Sequence, residues 1–192
     1  MMTLKIEKIS AGYRNLHVLF DASSSMEDEK ITVLVGPNGS GKSTLLKTIM
    51  GITEIYSGDI YFNETRIIGL PPHEITKLGI SYLPQVNSTF ANLTVKENLT
   101  MAGYILGKEE ANERAKKALE DFPVLVGYGN RRAGTLSGGE RQMLAMAMAM
   151  TRKPKVMLFD EPTASLAPKV AFEVLSEIRK LRDDFKMTVV LA

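Results

Sequence analysis

The sequence contains no cysteine and no tryptophan, and its only histidines are His17 and His73. Without cysteine the chain has no disulfide bond and no cysteine-ligated metal site, which fits a reducing compartment. An excess of one charge is also lacking, because 24 lysine and arginine residues nearly balance 22 acidic residues, for a net charge of +2. This balance, with no long basic run, argues against a dedicated nucleic-acid-binding protein.

Long apolar stretches are missing as well. The longest, Met143–Met150, is too short to cross a bilayer, and Met1–Ser10 lacks the apolar segment of a signal peptide. Any role at a membrane is therefore expected to be peripheral and to depend on a partner. The 192 residues, 44% hydrophobic and 24% charged, predict one globular domain, or one domain with a small subdomain, around a sizeable core.

A glycine-rich loop between an apolar run and a helical pattern is the most informative motif. Residues 36–44 read GPNGSGKST, which matches G-x-x-x-x-G-K-[ST], and Ile31–Val35 before them predicts a buried strand. In such loops backbone N–H groups surround the β-phosphate, the lysine reaches the β- and γ-phosphates, and the next hydroxyl ligates Mg²⁺. A chance glycine-rich turn is the weaker alternative. The residues predicted to contact the nucleotide are Gly36, Pro37, Asn38, Gly39, Ser40, Gly41, Lys42, Ser43 and Thr44.

A second apolar run ends in two carboxylates. Val156–Phe159 predicts a buried strand that delivers Asp160 to the carboxyl edge of the sheet, where open α/β sheets bind their ligands. Asp160 can hold Mg²⁺ directly or through water. If strand alternation continues, Glu161 points the other way and can polarise a water for in-line attack on the γ-phosphate. Alone, this pattern also fits two solvated acidic residues at a strand end. Together with the glycine-rich loop, it indicates a nucleotide site much more specifically.

The rest of the chain alternates strand and helix patterns. Leu4, Ile6 and Ile9 predict an edge or half-exposed strand, and Ile80–Leu83 predicts a buried one. Strands that alternate with helices favour a largely parallel sheet with helical crossovers. Residues 92–134 carry helical and glycine-rich patterns without strands, so we predict that they form a helical subdomain inserted in an α/β core.

A serine and two glycines open a later helix rich in alanine and methionine. Ser137, Gly138 and Gly139 make a second anion-binding helix start, which one nucleotide hardly needs within one chain. The site is therefore expected to face the nucleotide of another copy; a plain serine cap is the alternative. With the two motifs above, the run LSGGERQ at Leu136–Gln142 resembles the signature of ATP-binding cassette (ABC) ATPases, and the resemblance covers essentially the whole chain.

The resemblance implies a fold and a domain plan. The expected fold is an α/β P-loop NTPase core with a mainly parallel sheet, an antiparallel N-terminal β part and the inserted helical subdomain. Residues 1–192 would form a single ABC ATPase domain, with the core at 1–91 and 135–192 and the subdomain at 92–134.

The resemblance also assigns roles. Tyr13 would stack on adenine, and Ser137–Gly139 would bind the γ-phosphate across a dimer interface. Lys42, Gln85 and Glu161 would be the catalytic residues, with Gln85 sensing Mg²⁺ and the attacking water in a loop that faces the membrane partner. The implied metal-binding residues are Ser43, Gln85 and Asp160.

Three stretches resemble in particular the LivF-type ATPases of branched-chain amino acid importers: LPPHE at 70–74, AGTLSGGE at 133–140 with QMLA at 142–145, and LAP at 166–168. Importers for amides or urea share these stretches. The implied function is hydrolysis of ATP with Mg²⁺ to energise import of branched-chain amino acids or related small polar solutes. The implied partners are a second ABC ATPase domain, identical or related, and transmembrane permease subunits, with no direct nucleic acid. The expected location is cytoplasmic, at the inner face of the cell membrane.

Two departures from the family leave other hypotheses open. Ala167 replaces the usual aspartate of the D-loop, and the chain ends at Ala192, before the family's switch loop. We expect a truncated product in which ATP binding survives better than hydrolysis. A nucleotide-binding module without turnover is thus one alternative. A soluble ABC ATPase acting on nucleic acid or ribosomes is another, although the interval between Lys42 and Leu136 carries no sustained heptads.

Overall fold

The computed structural model describes residues 2–86 and 88–192, with side chains from residue 4 onward in the first of these ranges. These residues form two compact units. The first runs to Tyr82 and takes in Lys155–Asp160 and Lys180–Ala192, whereas the second comprises Leu83–Pro154 and Glu161–Arg179. The predicted helical subdomain, 92–134, lies within the second unit; its own boundaries remain a prediction.

The secondary structure alternates as the sequence predicts. The strands are β1 (Met2–Tyr13), β2 (Leu16–Glu27), β3 (Ile31–Val33), β4 (Glu54–Phe62), β5 (Thr65–Arg66), β6 (Ile80–Leu83), β7 (Val156–Phe159) and β8 (Thr188–Leu191). The α-helices are α1 (Lys42–Ile49), α2 (Pro72–Leu78), α3 (Val95–Ala102), α4 (Lys108–Asp121), α5 (Gly138–Met150) and α6 (Pro168–Phe185). Among the helices that the described residues form, none is long and apolar enough to cross a membrane.

One sheet is antiparallel and has the order β2-β1-β4-β5. The predicted edge position of the strand that carries Leu4, Ile6 and Ile9 is wrong, because β1 pairs with β2 on one side and β4 on the other. Lys5 and Lys8 are exposed, so the alternative, a half-exposed strand with Leu4, Ile6 and Ile9 on its buried face, is confirmed. All three side chains are buried. Lys8 has a φ of 46°, and the register of β1 shifts there against both partners. That irregularity breaks the alternation from which the strand's position was judged.

The other sheet has the order β3-β8-β7-β6, and β8 pairs in parallel with both β3 and β7. All four residues of β7 are buried, as predicted. The prediction of a buried strand at Ile31–Val35 is wrong in extent and burial, because β3 ends at Val33 and the side chains of Val33 and Val35 are 57% and 87% exposed. The reason is its position at the end of the strand order, where it pairs with β8 alone among the described strands.

The core of the first unit joins residues of both sheets and α1. Burial of these apolar side chains stabilises the unit by roughly 25 cal/mol for each Å² removed from water. Its buried members include Leu4, Ile6, Ile9, Met26, Leu46, Ile49, Ile60, Phe62, Val156, Leu158 and Val190. This core fixes the ends of β3 and β7, from which the phosphate loop and Asp160 extend.

In the second unit, α3, α4 and α5 pack against one another. The helical pattern predicted within residues 92–134 divides at Gly103–Gly107 into α3 and α4. The amide of the buried Asn98 holds the chain before α3: it accepts from the Phe90 N–H at 2.8 Å and donates to the Phe90 and Thr94 carbonyls. The segment that follows α4 contains two short 3₁₀ helices, Pro123–Tyr128 and Ala133–Thr135.

Candidate nucleotide-binding site

The glycine loop leads from the end of β3 into the first turn of α1. Gly39 and Gly41 have φ angles of +83° and +93°, a region that residues with a Cβ rarely adopt. The Ser40 N–H donates to the Pro37 carbonyl at 3.2 Å, which closes the turn, and residues Gly36–Ser40 are exposed. The loop is therefore an exposed turn at the N-terminus of a helix, an arrangement suited to anions.

The Lys42 ammonium group lies across this loop. Its Nζ donates to the carbonyl oxygens of Gly36 at 2.9 Å and Pro37 at 3.0 Å. These contacts place a positive charge over the loop, where the lysine of this motif meets the β- and γ-phosphates. Since both acceptors are neutral carbonyls, a phosphate oxygen can replace them as the stronger partner.

A buried carboxylate stands beside the first helical residues. Asp160 follows β7 directly and is 5% exposed. Its Oδ1 accepts a hydrogen bond from the Ser43 hydroxyl at 2.6 Å, and its Oδ2 accepts one from the Tyr82 hydroxyl at 2.9 Å. The two residues predicted to bind metal in this unit, Ser43 and Asp160, are therefore in contact. Burial, and then the hydrogen bond to Asp160, raises the pKa of the Tyr82 hydroxyl, so Tyr82 remains a donor at neutral pH.

Tyr82 is the residue that sequence reasoning missed. It lies on β6, which neighbours β7 in the sheet, so its hydroxyl reaches the end of β7. A tyrosine in a strand predicted to be buried was the available signal, because a buried phenolic O–H needs an acceptor. The partner could not be named from sequence, since β6 and β7 are far apart in the chain and only the sheet order makes them neighbours.

In the second unit, two predicted catalytic residues form a pair. The Gln85 Nε2 donates to Glu161 Oε2 at 2.8 Å. Glu161 has a φ of 47°, which is unusual for a residue other than glycine and costs of order 1–3 kcal/mol. The expectation that strand alternation orients Glu161 fails, because β7 ends at Phe159 and a left-handed backbone conformation, rather than a strand, sets its direction.

The signature segment forms the N-terminus of α5. The Ser137 Oγ accepts from the Glu140 N–H at 3.3 Å, and Glu140 Oε2 accepts from the Ser137 N–H at 2.7 Å, which is a capping box. The box uses the N–H groups of Ser137 and Glu140. It leaves those of Gly138 and Gly139, and the Ser137 O–H, as donors for a phosphate.

Both signature glycines are close to the segment that follows Glu161. A Cβ on Gly138 would lie 2.6 Å from Leu166 Cδ2, and one on Gly139 would lie 2.4 Å from Val170 Cγ1. The glycines thus permit tight packing as well as access for an anion. Ala167, which replaces the usual aspartate, lies between these two contact residues in the chain.

Two further predicted contact residues have different surroundings. Tyr13 ends β1 and is 38% exposed. Thr44 lies in the first turn of α1 with its side chain buried, and its carbonyl accepts from the Thr48 hydroxyl at 2.7 Å. Their predicted contacts with adenine and phosphate remain predictions.

A glycine loop that opens a helix, a lysine across it, and a serine bonded to a buried aspartate at a strand end define a P-loop nucleotide-binding protein. The profile of the family described as ABC transporter matches residues 19–164, which is more than half of the chain. The chain therefore belongs to the ABC transporter family, and its fold is that of the ABC ATPases.

Named relatives and solved cassettes agree with this assignment. The chain is 54% identical to the "Probable branched-chain amino acid transport ATP-binding protein LivF" of Archaeoglobus fulgidus, over 98% of this chain and 80% of that protein. It is 40% identical to the "High-affinity branched-chain amino acid transport ATP-binding protein BraG" of Pseudomonas aeruginosa, over 93% of this chain and 77% of that protein.

Among solved structures, a nucleotide-free ATP-binding cassette from an ABC transporter superposes with a TM-score of 0.90 at 29% identity, covering all of this chain and 81% of the other. The dimeric structure of MJ0796, a bacterial ABC transporter cassette, superposes with a TM-score of 0.83 at 26% identity, over 98% of this chain and 86% of the other. Both likenesses confirm the predicted family and fold.

Proposed function

We propose that this chain is the ATP-binding and ATP-hydrolysing subunit of an ABC importer for branched-chain amino acids. The observation that carries the nucleotide site is the Ser43–Asp160 hydrogen bond beside the loop that Lys42 crosses. The choice of solute follows from the two relatives, whose names specify branched-chain amino acid transport. The residues in the site support ATP chemistry, and the relatives support its use in transport.

The residues of the first unit suit Mg²⁺ delivered with a nucleotide. Mg²⁺ prefers oxygen ligands, and it keeps several waters while taking one or two protein ligands and the phosphates. Ser43 Oγ and Asp160 Oδ1 supply two such oxygens 2.6 Å apart. In the part of the chain that the structure describes, no group of three or more acidic or histidine side chains offers a protein cage for a metal. Ser43 and Asp160 would hold the ion; bound there, it would neutralise charge on the β- and γ-phosphates.

The remaining roles belong to the chain's own side chains. Lys42 leaves the carbonyls of Gly36 and Pro37 and neutralises charge on the phosphates, and the loop N–H groups fix their position. Glu161, consecutive with Asp160 in the chain, accepts a proton from the attacking water once Gln85 releases its carboxylate. Tyr13 stacks on adenine. Catalysis here is mostly positioning and charge stabilisation.

The partners follow from the signature segment and from the relatives. The free donors of Ser137, Gly138 and Gly139 bind the γ-phosphate held by a second cassette, identical or related. The dimer reported for MJ0796 supports a paired state of cassettes. Permease subunits that cross the membrane bind the region around Gln85, and they hold the complex at the cytoplasmic face of the membrane.

A lysine substitution tests the proposed function at the level of binding. Lys42→Ala is expected to weaken ATP binding, measured by calorimetry, by about 10-fold or more, because a hydrogen bond to a charged group contributes about 1.5–3 kcal/mol. Lys47→Ala, on the same helix and away from the loop, is the matched control and should bind ATP as the unaltered chain does. Equal affinity of all three proteins for ATP would contradict the nucleotide site.

Transport is tested with the same pair of variants introduced into the native gene. Membrane vesicles carrying Lys42→Ala should lose ATP-driven leucine uptake and keep proline uptake, whereas Lys47→Ala vesicles should keep both. Unchanged leucine uptake with Lys42→Ala would contradict the assignment of the solute. Stimulation of ATP hydrolysis by DNA or RNA would favour the alternative of a soluble ATPase acting on nucleic acid.

A further inference from the structure

Asp160 divides its two carboxylate oxygens between two neutral hydroxyl donors. Oδ1 accepts from Ser43 at 2.6 Å and Oδ2 accepts from Tyr82 at 2.9 Å. Ser43 belongs to the phosphate loop motif, but Tyr82 belongs to no motif that the function uses. Because a carboxylate can rotate about its Cβ–Cγ bond, a donor fixed to one oxygen determines where the other oxygen points.

The rigidity of the Tyr82 donor follows from its place in the fold. Tyr82 lies on β6, and its half-buried ring packs against the core of the first unit. The neighbouring side chains Ile80 and Leu83 are buried, which anchors the short strand on both sides of the tyrosine. Ser43, by contrast, lies in the first turn of α1, where the predicted ligands would bind. Tyr82 is therefore the fixed partner of Asp160, and Ser43 is the one that changes partners.

We propose that Tyr82 is a positioning residue for the metal-binding carboxylate: its hydroxyl holds Oδ2 of Asp160 and keeps Oδ1 directed at Ser43 and the magnesium of the bound nucleotide. The inference rests on the proposed function, since it takes the Ser43–Asp160 pair as the metal-binding part of an ATP site. Donors that orient a ligating carboxylate change metal affinity by about 10–100-fold when removed.

Removal of one oxygen atom separates this role from a purely structural one. Tyr82→Phe keeps the ring in the core and deletes the donor. Tyr104→Phe removes an exposed hydroxyl in the second unit and is the matched control. Binding of a fluorescent ATP analogue is titrated in EDTA and then against Mg²⁺, and Mn²⁺ bound with the nucleotide is counted by electron paramagnetic resonance.

We expect Tyr82→Phe to bind the analogue in EDTA within twofold of the unaltered chain. The Mg²⁺ concentration that gives half of the maximal increase in analogue binding should rise about 10-fold, and Mn²⁺ should bind more weakly. Tyr104→Phe should change neither quantity. In an Asp160→Asn background, where the metal ligand is already lost, Tyr82→Phe should add no further shift.

Two results would overturn the positioning role. One is an unchanged Mg²⁺ and Mn²⁺ dependence of Tyr82→Phe; the other is a loss of analogue binding in EDTA as large as the loss in Mg²⁺, which a damaged fold produces. Either can occur while the unaltered chain binds ATP normally, so the proposed function would stand. Failure of the unaltered chain to bind the analogue would overturn the proposed function, and the role of Tyr82 with it.

Discussion

At the scale of single residues, the phosphate loop depends on two glycines with similar backbone angles and different surroundings. Gly39 has a φ of +83° and open space where a Cβ would lie. Gly41 has a φ of +93°, and a Cβ there would lie 2.8 Å from Cδ2 of Leu19, which is buried. The first glycine is therefore required by backbone conformation alone, and the second by conformation and by packing.

The pair gives a stability prediction. Gly39→Ala should lower the free energy of unfolding without nucleotide by about 1–2 kcal/mol, the cost of a left-handed residue that has a Cβ. Gly41→Ala should lower it further, because Leu19 must also move. Urea unfolding of both variants with no nucleotide present measures the difference, and a larger loss for Gly39→Ala would contradict the packing argument.

The site residues differ in how far the sequence can predict them. Lys42 and Ser43 lie in one short motif; Lys42 contacts the loop and Ser43 contacts Asp160, and their roles toward nucleotide and metal remain predictions. Tyr82 was missed because its contact depends on the pairing of distant strands. The direction of Glu161 was wrongly expected, since a single left-handed φ after a strand leaves no periodic pattern in the sequence.

At the scale of secondary structure elements, buried short strands were predictable and long antiparallel ones were not. β6 and β7 match the predicted bounds Ile80–Leu83 and Val156–Phe159, because both are short and mostly apolar. β1 and β2 are 12 residues each, but their pairing contains several register shifts. Such bulges interrupt the alternation of buried and exposed residues, so the sequence showed only fragments of these strands.

Helix starts were more predictable, because their signals are local. α3 and α5 both begin with a capping box, Thr94 with Glu97 and Ser137 with Glu140. Hydrogen bonds from the backbone N–H groups of Thr94 and Ser137 lower the pKa of Glu97 and Glu140, respectively, below the ordinary value. The ionised carboxylates therefore stabilise both helix starts, with support from the partial positive charge of the helix ends.

These caps predict a pH dependence of stability. The pKa of both glutamates is lower in the folded state than the ordinary value of 4.5. The caps therefore stabilise the fold fully at pH values above 4.5, and this stabilisation is lost as the pH falls through the pKa of the folded state. The double variant Glu97→Gln/Glu140→Gln should be less stable than the unaltered chain at pH 7, and the difference should shrink below about pH 4.5. Urea unfolding across pH 3.5–7 measures this difference in stability. The control is the double variant Glu113→Gln/Glu173→Gln, which changes two exposed glutamates. A difference that is constant with pH would contradict the prediction.

At the scale of the whole molecule, the proposed function assigns phosphate binding to two groups of donors. One is the loop of the first unit, and the other is the start of α5 in the second unit, where the capping box leaves the Gly138 and Gly139 N–H groups free. A single nucleotide needs one such group, and paired cassettes would use both. Assembly of two copies around ATP is thus the property that the proposed function requires of the molecule.

The last prediction concerns this assembly. Glu161→Gln keeps a side chain of similar size but removes the proposed proton acceptor, so bound ATP should persist and hold two copies together. Light scattering should show a monomer without nucleotide and a dimer with MgATP. The double variant Lys42→Ala/Glu161→Gln, which should bind ATP about 10-fold or more weakly, is expected to stay monomeric at an ATP concentration that just saturates the single variant. If the single variant binds ATP and remains a monomer, self-pairing through Ser137–Gly139 is wrong, and a related second ATPase becomes the required partner.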